Sequence, residues 1–249
     1  MMRITETVKQ LIIINILFFV ATLFVGDAAY RYLALYFPEN PDFQLWQPLT
    51  HMFMHGNFLH IFFNMFALYS FGVVLEQVWG AKKFLFFYIS CGLGAALLHV
   101  GVNYFSYYNA MDVLLANGYH KAEIINIISQ GKYMVKWQDI LSLNQIGELI
   151  SAYNTPAVGA SGAIYGILVA FAFMLPNAEL MLMFIPVPIK AKYFVPGLLA
   201  VDLFLGLKGA SIFGGGDGIA HFAHIGGALV GFLMMWYWKK DQFNKNRWN

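Results

Sequence analysis

Charge is scarce in this 249-residue chain: Asp, Glu, Lys and Arg together make up 11% of it, where a soluble domain usually carries about a quarter. With 59% apolar residues, too little polar surface remains to wrap one large water-soluble core. Cysteine is almost absent as well. The lone Cys91 rules out an intramolecular disulfide and a cysteine-rich metal site, and its place inside an apolar block reads as packing. No run of Lys and Arg is long enough to face a polyanion, and the net charge is only +2, so nucleic acid is excluded as a partner. Repeats and low-complexity stretches are also missing.

What the chain has instead is apolar blocks of roughly 17 to 24 residues, close to the ~20 that cross a hydrocarbon core as a helix. They fall at about 9–27, 58–78, 84–105, 157–175, 193–209 and 219–238. The pattern predicts an all-α membrane protein, one polytopic domain over residues 1–249 built as a six-helix bundle in a lipid bilayer. Arg3 and Lys9 ahead of the first block imitate a signal peptide, but further blocks follow, so the block is read as an uncleaved first helix. The polar insertion at 106–156 has too few apolar residues to cross. Its stretch HKAEIINIISQ has helical periodicity with mixed charge, which predicts a partly helical segment at the membrane surface. The remaining links are an aromatic-rich loop at 28–57, a Pro-rich one at 176–192 and a Gly-rich one at 210–218.

Sidedness follows from the basic residues. With both termini cytoplasmic, Arg3, Lys9, Lys82, Lys83, Lys190, Lys192, Lys239, Lys240, Lys245 and Arg247 lie inside, and Arg31, Lys121, Lys132, Lys136 and Lys208 outside. The 106–156 insertion is then extracytoplasmic.

Three features carry chemistry. The first is Gly159-Ala160-Ser161-Gly162 at the entry to the fourth block, where small neighbours let the backbone turn sharply and let a carbonyl approach the hydroxyl. The second is Ala223-His224-Ile225-Gly226-Gly227 with Gly231 in the last block. Gly162 and Gly166 form one GxxxG face and Gly227 and Gly231 another, and two such faces pack unusually closely. That packing would bring His224 within reach of Ser161, where a neutral imidazole can take the hydroxyl proton and activate a weak nucleophile. Tyr165, one turn from Ser161 on the same helix face, is placed to stack on the imidazole. The third is the run from Trp46 through His51 and His55 to His60 and Asn64. His60 and Asn64 share a helix face, and both can donate to a developing oxyanion together with the Ser161 backbone N–H.

A histidine-based metal site is the rival reading, since His51, His55, His60, His221 and His224 could gather at one membrane face. No HExxH spacing occurs, and His51, His55 and His221 are read as structural, the first two ordering the 28–57 loop. No metal or cofactor is therefore expected. Among carboxylates, Asp202 inside the fifth block and Asp217 before His221 are candidates for a third catalytic member, but neither has a local pattern to support it, so the expected unit is a dyad.

Taken together, HxxxN (His60, Asn64), GxSG (Ser161) and AHxxGxxxG (Ala223, His224, Gly227, Gly231) resemble the rhomboid family of intramembrane serine proteases. The similarity extends to Glu76 and to Ile185-Pro186-Val187-Pro188, and covers nearly all of the chain except 106–156. The resemblance implies a bundle with a Ser161–His224 dyad open to extracytoplasmic water. It implies an oxyanion hole shaped by Ser161, His60 and Asn64, with Tyr165 supporting the base and Gly159, Gly162 and His55 around it. It also implies that the fifth helix and the 210–218 link act as gate and cap. Substrates in that family are transmembrane segments of other proteins, and the implied home is a bacterial inner membrane. The chain departs from the family where Trp-Arg is usual, having Trp46-Gln47, and in the length of the 106–156 insertion. No sizeable soluble domain is expected at either end. A non-catalytic rhomboid-like protein that binds transmembrane clients is the alternative, and a small transporter with Ser, His and Asn lining a polar path is a third reading. The oligomeric state is not readable from the sequence.

Overall fold

The computed structural model describes residues 3–182, 185–208 and 219–245. The Gly-rich link, with its expected cap and Asp217, lies outside the described residues. The first helix, α1 (Glu6–Val25), is followed by a short α2 (Asp27–Leu33), a loop, α3 (Gln47–Thr50) and a 3-10 turn (His51–Phe53). The second long helix is continuous over Phe58–Trp79, made of α4 (Phe58–Ala67), a π-helical turn (Leu68–Gly72) and α5 (Val73–Trp79). Then come α6 (Ala81–Ala116), α7 (Lys121–Ile128), a 3-10 segment (Val135–Asp139), α8 (Leu143–Asn154), α9 (Ser161–Met174), strands β1 (Glu179–Leu182) and β2 (Ile185–Lys190), α10 (Ala191–Lys208) and α11 (Ile219–Lys245).

Three of these helices are long and apolar enough to cross a membrane: Glu6–Val25, Phe58–Trp79 and Ala81–Ala116, with mean hydropathies of 2.3, 1.8 and 1.8. Their outward faces fit lipid. In α1 the buried positions include Thr7, Asn15 and Thr22, while Leu17, Leu23 and Phe24 point outward, the last 86% exposed. Asn15 Nδ2 and Thr22 Oγ1 donate one turn back, to the carbonyls of Leu11 (2.7 Å) and Phe18 (2.8 Å). A helix with its polar residues inside and its largest hydrocarbons outside suits a bilayer and is unstable in water. The chain is an integral membrane protein, mostly helical.

At one end of the bundle the Glu76 carboxylate holds the start of α1, accepting from Thr5 Oγ1 (2.5 Å), Thr7 N (3.0 Å) and Val8 N (2.9 Å). These amides are orphan donors of a helix N-terminus, and a charged acceptor there is favoured by the helix dipole. At the same end the Lys83 ammonium sits over the Trp238 ring at 4.0 Å, tying α6 to α11.

The core is formed where α11 packs against α6, α9 and α10, through glycine. A Cβ at Gly227 would overlap the carbonyl oxygen of Gly162, and one at Gly231 would lie 2.8 Å from the Gly166 Cα. The two GxxxG faces therefore meet backbone to backbone. Cys91 is buried in this core beside Gly166.

Three expectations are corrected. The helix expected at 84–105 runs over Ala81–Ala116, about 54 Å at 1.5 Å per residue, well beyond a ~30 Å hydrocarbon layer. Its last turns present Tyr107, Ala110, Met111 and Leu114 at helical spacing to a second hydrophobic cluster, shared with Phe37, Ile124, Ile128, Trp137, Ile146 and Leu149. The 106–156 insertion is thus an extension of α6 capped by α7 and α8, with its own buried core. The Pro-rich link is not a plain connection. It forms an antiparallel hairpin with Glu179 opposite Lys190 and Leu180 opposite Ile189, because prolines at 186 and 188 bar a helix while extended backbone accepts them. An all-helical class therefore needs this one exception. Finally, the fourth block is helical only over Ser161–Met174, since 157–160 form the approach that aims Ser161.

Candidate active site

Ser161 is the first residue of α9. Gly159, with φ +126, makes the turn into the helix, a conformation that L side chains rarely adopt. Its N–H donates to the carbonyl of His51 (2.9 Å), which fastens the approach to the first loop. The turn leaves the first amides of α9 without intrahelical partners, at the positive end of the helix dipole.

His224 enters from α11, three residues before Gly227. Its Nε2 lies 2.9 Å from Ser161 Oγ. Tyr165 stacks on the imidazole, with ring centroids 4.2 Å apart and planes within 8°. The close glycine contact between α9 and α11 is what permits this reach, because any bulk at Gly227 would push the imidazole away.

His60 approaches Ser161 from the other side. A Cβ on Gly159 would sit 2.8 Å from His60 Nε2 and 3.5 Å from Ser161 Oγ, so the ring edge, the glycine and the hydroxyl bound one small space. The His60 Nδ1 accepts from the Gly56 N–H at 3.4 Å. A neutral ring that accepts at Nδ1 carries its proton on Nε2, the nitrogen facing that space. Asn57 caps α4 by accepting from the His60 N–H (2.8 Å), which fixes where the ring begins. Asn64 is buried, and its side-chain N–H donates to the His60 carbonyl (3.0 Å). His55 packs edge-on against His60, ring centroids 4.9 Å apart. It is fully buried, and among the described residues neither of its ring nitrogens has a hydrogen-bond partner. Burial first, then the neighbouring His60, lowers its pKa to about 3, so it packs as a neutral ring. His51 is likewise lowered to about 4, mainly by burial, and its Nδ1 meets the Gln47 carbonyl at 3.0 Å.

Gln47 follows Trp46 at the start of α3. It is buried and ties the first loop together, accepting from Tyr36 N (3.2 Å) and donating to the carbonyls of Arg31 (2.9 Å) and Asp42 (2.8 Å). Its neutral amide does this without a charge to compensate.

The structure also brings in a carboxylate that the sequence offered only as an unsupported candidate. Asp202 of α10 is 4% exposed, and its Oδ1 meets the Nδ1 of His224 at 3.3 Å and, more closely, the Nδ1 of His221. The sequence reading expected a dyad with Asp202 as a weak candidate, and the structure places that carboxylate within hydrogen-bond distance of His224. Spacing along the chain could not reveal it, since Asp202 lies on a different helix from both histidines. Its presence as an ionisable residue inside an apolar block was the only signal. Asp202, His221 and His224 have the donor set of a divalent-metal site, with ligand atoms within 4.8 Å of one another. Both imidazoles, however, converge on a single carboxylate oxygen, which is the arrangement of a hydrogen-bonded network.

The fold and this site define a helical membrane protein with a half-buried serine–histidine pair. The family model described as the rhomboid domain matches residues 42–119 and 133–240, most of the sequence, and the chain belongs to the rhomboid family. It is similar to the rhomboid protease AarA of Providencia stuartii, 29% identical over 199 residues, covering 76% of this chain and 54% of that protein. It is also similar to the mitochondrial rhomboid protein 1 of Saccharomyces cerevisiae, 28% identical over 188 residues, covering 76% and 40%. The human mitochondrial presenilin-associated rhomboid-like protein is 26% identical over 235 residues, covering 93% and 47%. The chain spans about half the length of these relatives.

Proposed function

We propose that this chain is an intramembrane serine endopeptidase that cuts transmembrane segments of other membrane proteins through a Ser161–His224 acyl-enzyme mechanism. The observation that carries the reading is the 2.9 Å contact between Ser161 Oγ and His224 Nε2, within hydrogen-bond reach of a general base. Membership of a family that includes a protease of that name supports it.

In the first step the Ser161 oxygen bonds to the substrate carbonyl carbon while its proton passes to His224 Nε2. The carbonyl electron pair moves to oxygen, where the Ser161 N–H, His60 Nε2–H and an Asn64 amide N–H stabilise it. Loss of one such donor typically costs ~10²–10³ in rate. The carbonyl then re-forms, the C–N bond breaks, and His224 gives its proton to the leaving amine. Water repeats the sequence on the ester and frees Ser161. Gly159 and Gly162 keep the approach narrow and Tyr165 holds the imidazole plane.

The six blocks cross the bilayer in this reading, with both termini in the cytoplasm and the site open to the other side of a bacterial inner membrane. Two contacts support the sidedness: Thr5 reaches Glu76, and Lys83 reaches Trp238, so the lysine-rich turn lies at the end where α1 starts and α11 finishes. His224 lies 14 residues before Trp238 on the same helix, about 21 Å away along its axis. The test is cleavage of a membrane-tethered reporter by the purified chain. Ser161→Ala abolishes cleavage and chelators leave it intact. Cleavage that survives Ser161→Ala and disappears with a chelator would overturn the mechanism.

A further inference from the structure

We infer that Asp202 is the orienting carboxylate of the Ser161–His224 pair, held in place by His221, so that the site operates as a Ser–His–Asp arrangement drawn from three helices. The inference rests on the protease reading. An ionised carboxylate has only acceptor sites, so an imidazole nitrogen bonded to it must carry the proton. His224 meets Asp202 through Nδ1 and Ser161 through Nε2, at 3.3 and 2.9 Å. A neutral ring with its proton on Nδ1 has its lone pair on Nε2, facing the serine hydroxyl. Asp202 therefore selects the one neutral tautomer that can accept the Ser161 proton.

When that proton arrives, the ring becomes an imidazolium with an N–H on both sides. Asp202, 4% exposed, then presents a negative charge to the new cation in a setting where water screens little. The carboxylate takes no proton at any step. Its charge is what the transition state gains.

His221 explains how a lone carboxylate is kept on station within apolar helices. It lies one turn before His224 on α11, and its Nδ1 contacts the same Asp202 oxygen. Among the described residues the other oxygen, Oδ2, has no hydrogen-bond partner, so both imidazoles pull on one atom and fix its position. The titratable groups around this carboxylate are Tyr165 from α9 and the two histidines from α11. Among the described residues no lysine or arginine is one of them, which leaves the charge available to His224.

The test is Asp202→Asn in the full chain, assayed in detergent and in liposomes. Asparagine keeps the shape but removes the negative charge that the imidazolium of the transition state meets. The kcat falls about a hundredfold or more with KM little changed, and the rate of fluorophosphonate labelling at Ser161 falls in step. Asp202→Glu recovers at least tenfold over the asparagine variant, because the charge returns. A residue that merely joins α10 to α11 would instead change KM or thermal stability and leave the labelling rate of the folded fraction unaltered. Should Asp202→Asn fail to fold, the tautomer is read in the unmodified protein by ¹⁵N NMR of labelled histidine, where His224 carries its proton on Nδ1. A folded asparagine variant that labels and cleaves like the parent, or an Nε2–H tautomer at His224, overturns the inference. A parent protein that does not label at all contradicts the protease reading itself.

Discussion

Adding one methyl group at Gly227 is expected to cost both stability and reactivity. A Cβ there overlaps the carbonyl oxygen of Gly162. Both partners are helix backbone, so no rotamer change relieves the clash, and α11 must retreat from α9 by on the order of 1 Å to restore van der Waals distance. The energetic cost is that of overpacking, about 1–3 kcal/mol. His224 is three residues away on the same helix, and its 2.9 Å contact with Ser161 stretches toward the edge of hydrogen-bond reach. A displacement of that size typically costs ~10² in rate. Gly227→Ala should therefore lower the thermal midpoint in detergent and slow fluorophosphonate labelling of the folded fraction about a hundredfold. Two other glycines calibrate the result. Gly231→Ala places its Cβ 2.8 Å from the Gly166 Cα, a milder clash, and should give an intermediate loss. Gly101→Ala, on α6 with nothing within 4 Å of the new atom, should be neutral or slightly stabilising. Equal behaviour of Gly227→Ala and Gly101→Ala would refute the claim that close glycine packing sets the serine–histidine distance.

Three further outcomes follow from single contacts. His51 is neutral in the fold, with its pKa lowered from 6.5 to about 4, mainly by burial. The unfolded chain takes up a proton that the folded one refuses, so this contribution is complete above pH 6.5 and is lost as pH falls from there toward 4, roughly 3 kcal/mol in all. Thermal midpoints across that window should fall less steeply in His51→Gln than in the parent. Glu76→Gln removes the charged acceptor at the start of α1 and should cost about 1–3 kcal/mol, seen as faster amide exchange at Thr7 and Val8. Trp137 is fully buried in the second cluster, and Trp137→Ala should cost about 3–5 kcal/mol there. Exchange should then rise over 107–153 while labelling at Ser161 stays near the parent rate.

The parts of the site that share a helix, or a pair of glycine faces, were legible in the sequence. Tyr165 lies four residues from Ser161, and GxxxG spacing on two helices forecast that α9 and α11 approach closely enough for His224 to meet Ser161. Asp202 was not legible in the same way, because its contact depends on how α10 rotates against α11, and no local pattern encodes that angle. The length of α6 was within reach: Tyr107, Ala110, Met111 and Leu114 already have the 3-4 spacing of a buried face, but a span-length template cut the helix at 105. The hairpin before α10 was hidden for a different reason. Paired prolines announce an extended link, whereas the pairing of Glu179 with Lys190 is a property of two strands together. At position 47 the resemblance pointed only to a departure from Trp-Arg. The three hydrogen bonds of Gln47 could be seen only once the 28–57 loop was folded around it.

Ser161 is proposed as a nucleophile activated by His224. The most direct test is reaction of the folded chain with a fluorophosphonate, followed by mapping of the modified peptide. One adduct is expected, on Ser161, absent from heat-denatured protein and from His224→Ala. No adduct on Ser161, or an adduct that forms equally well without the histidine, would contradict it.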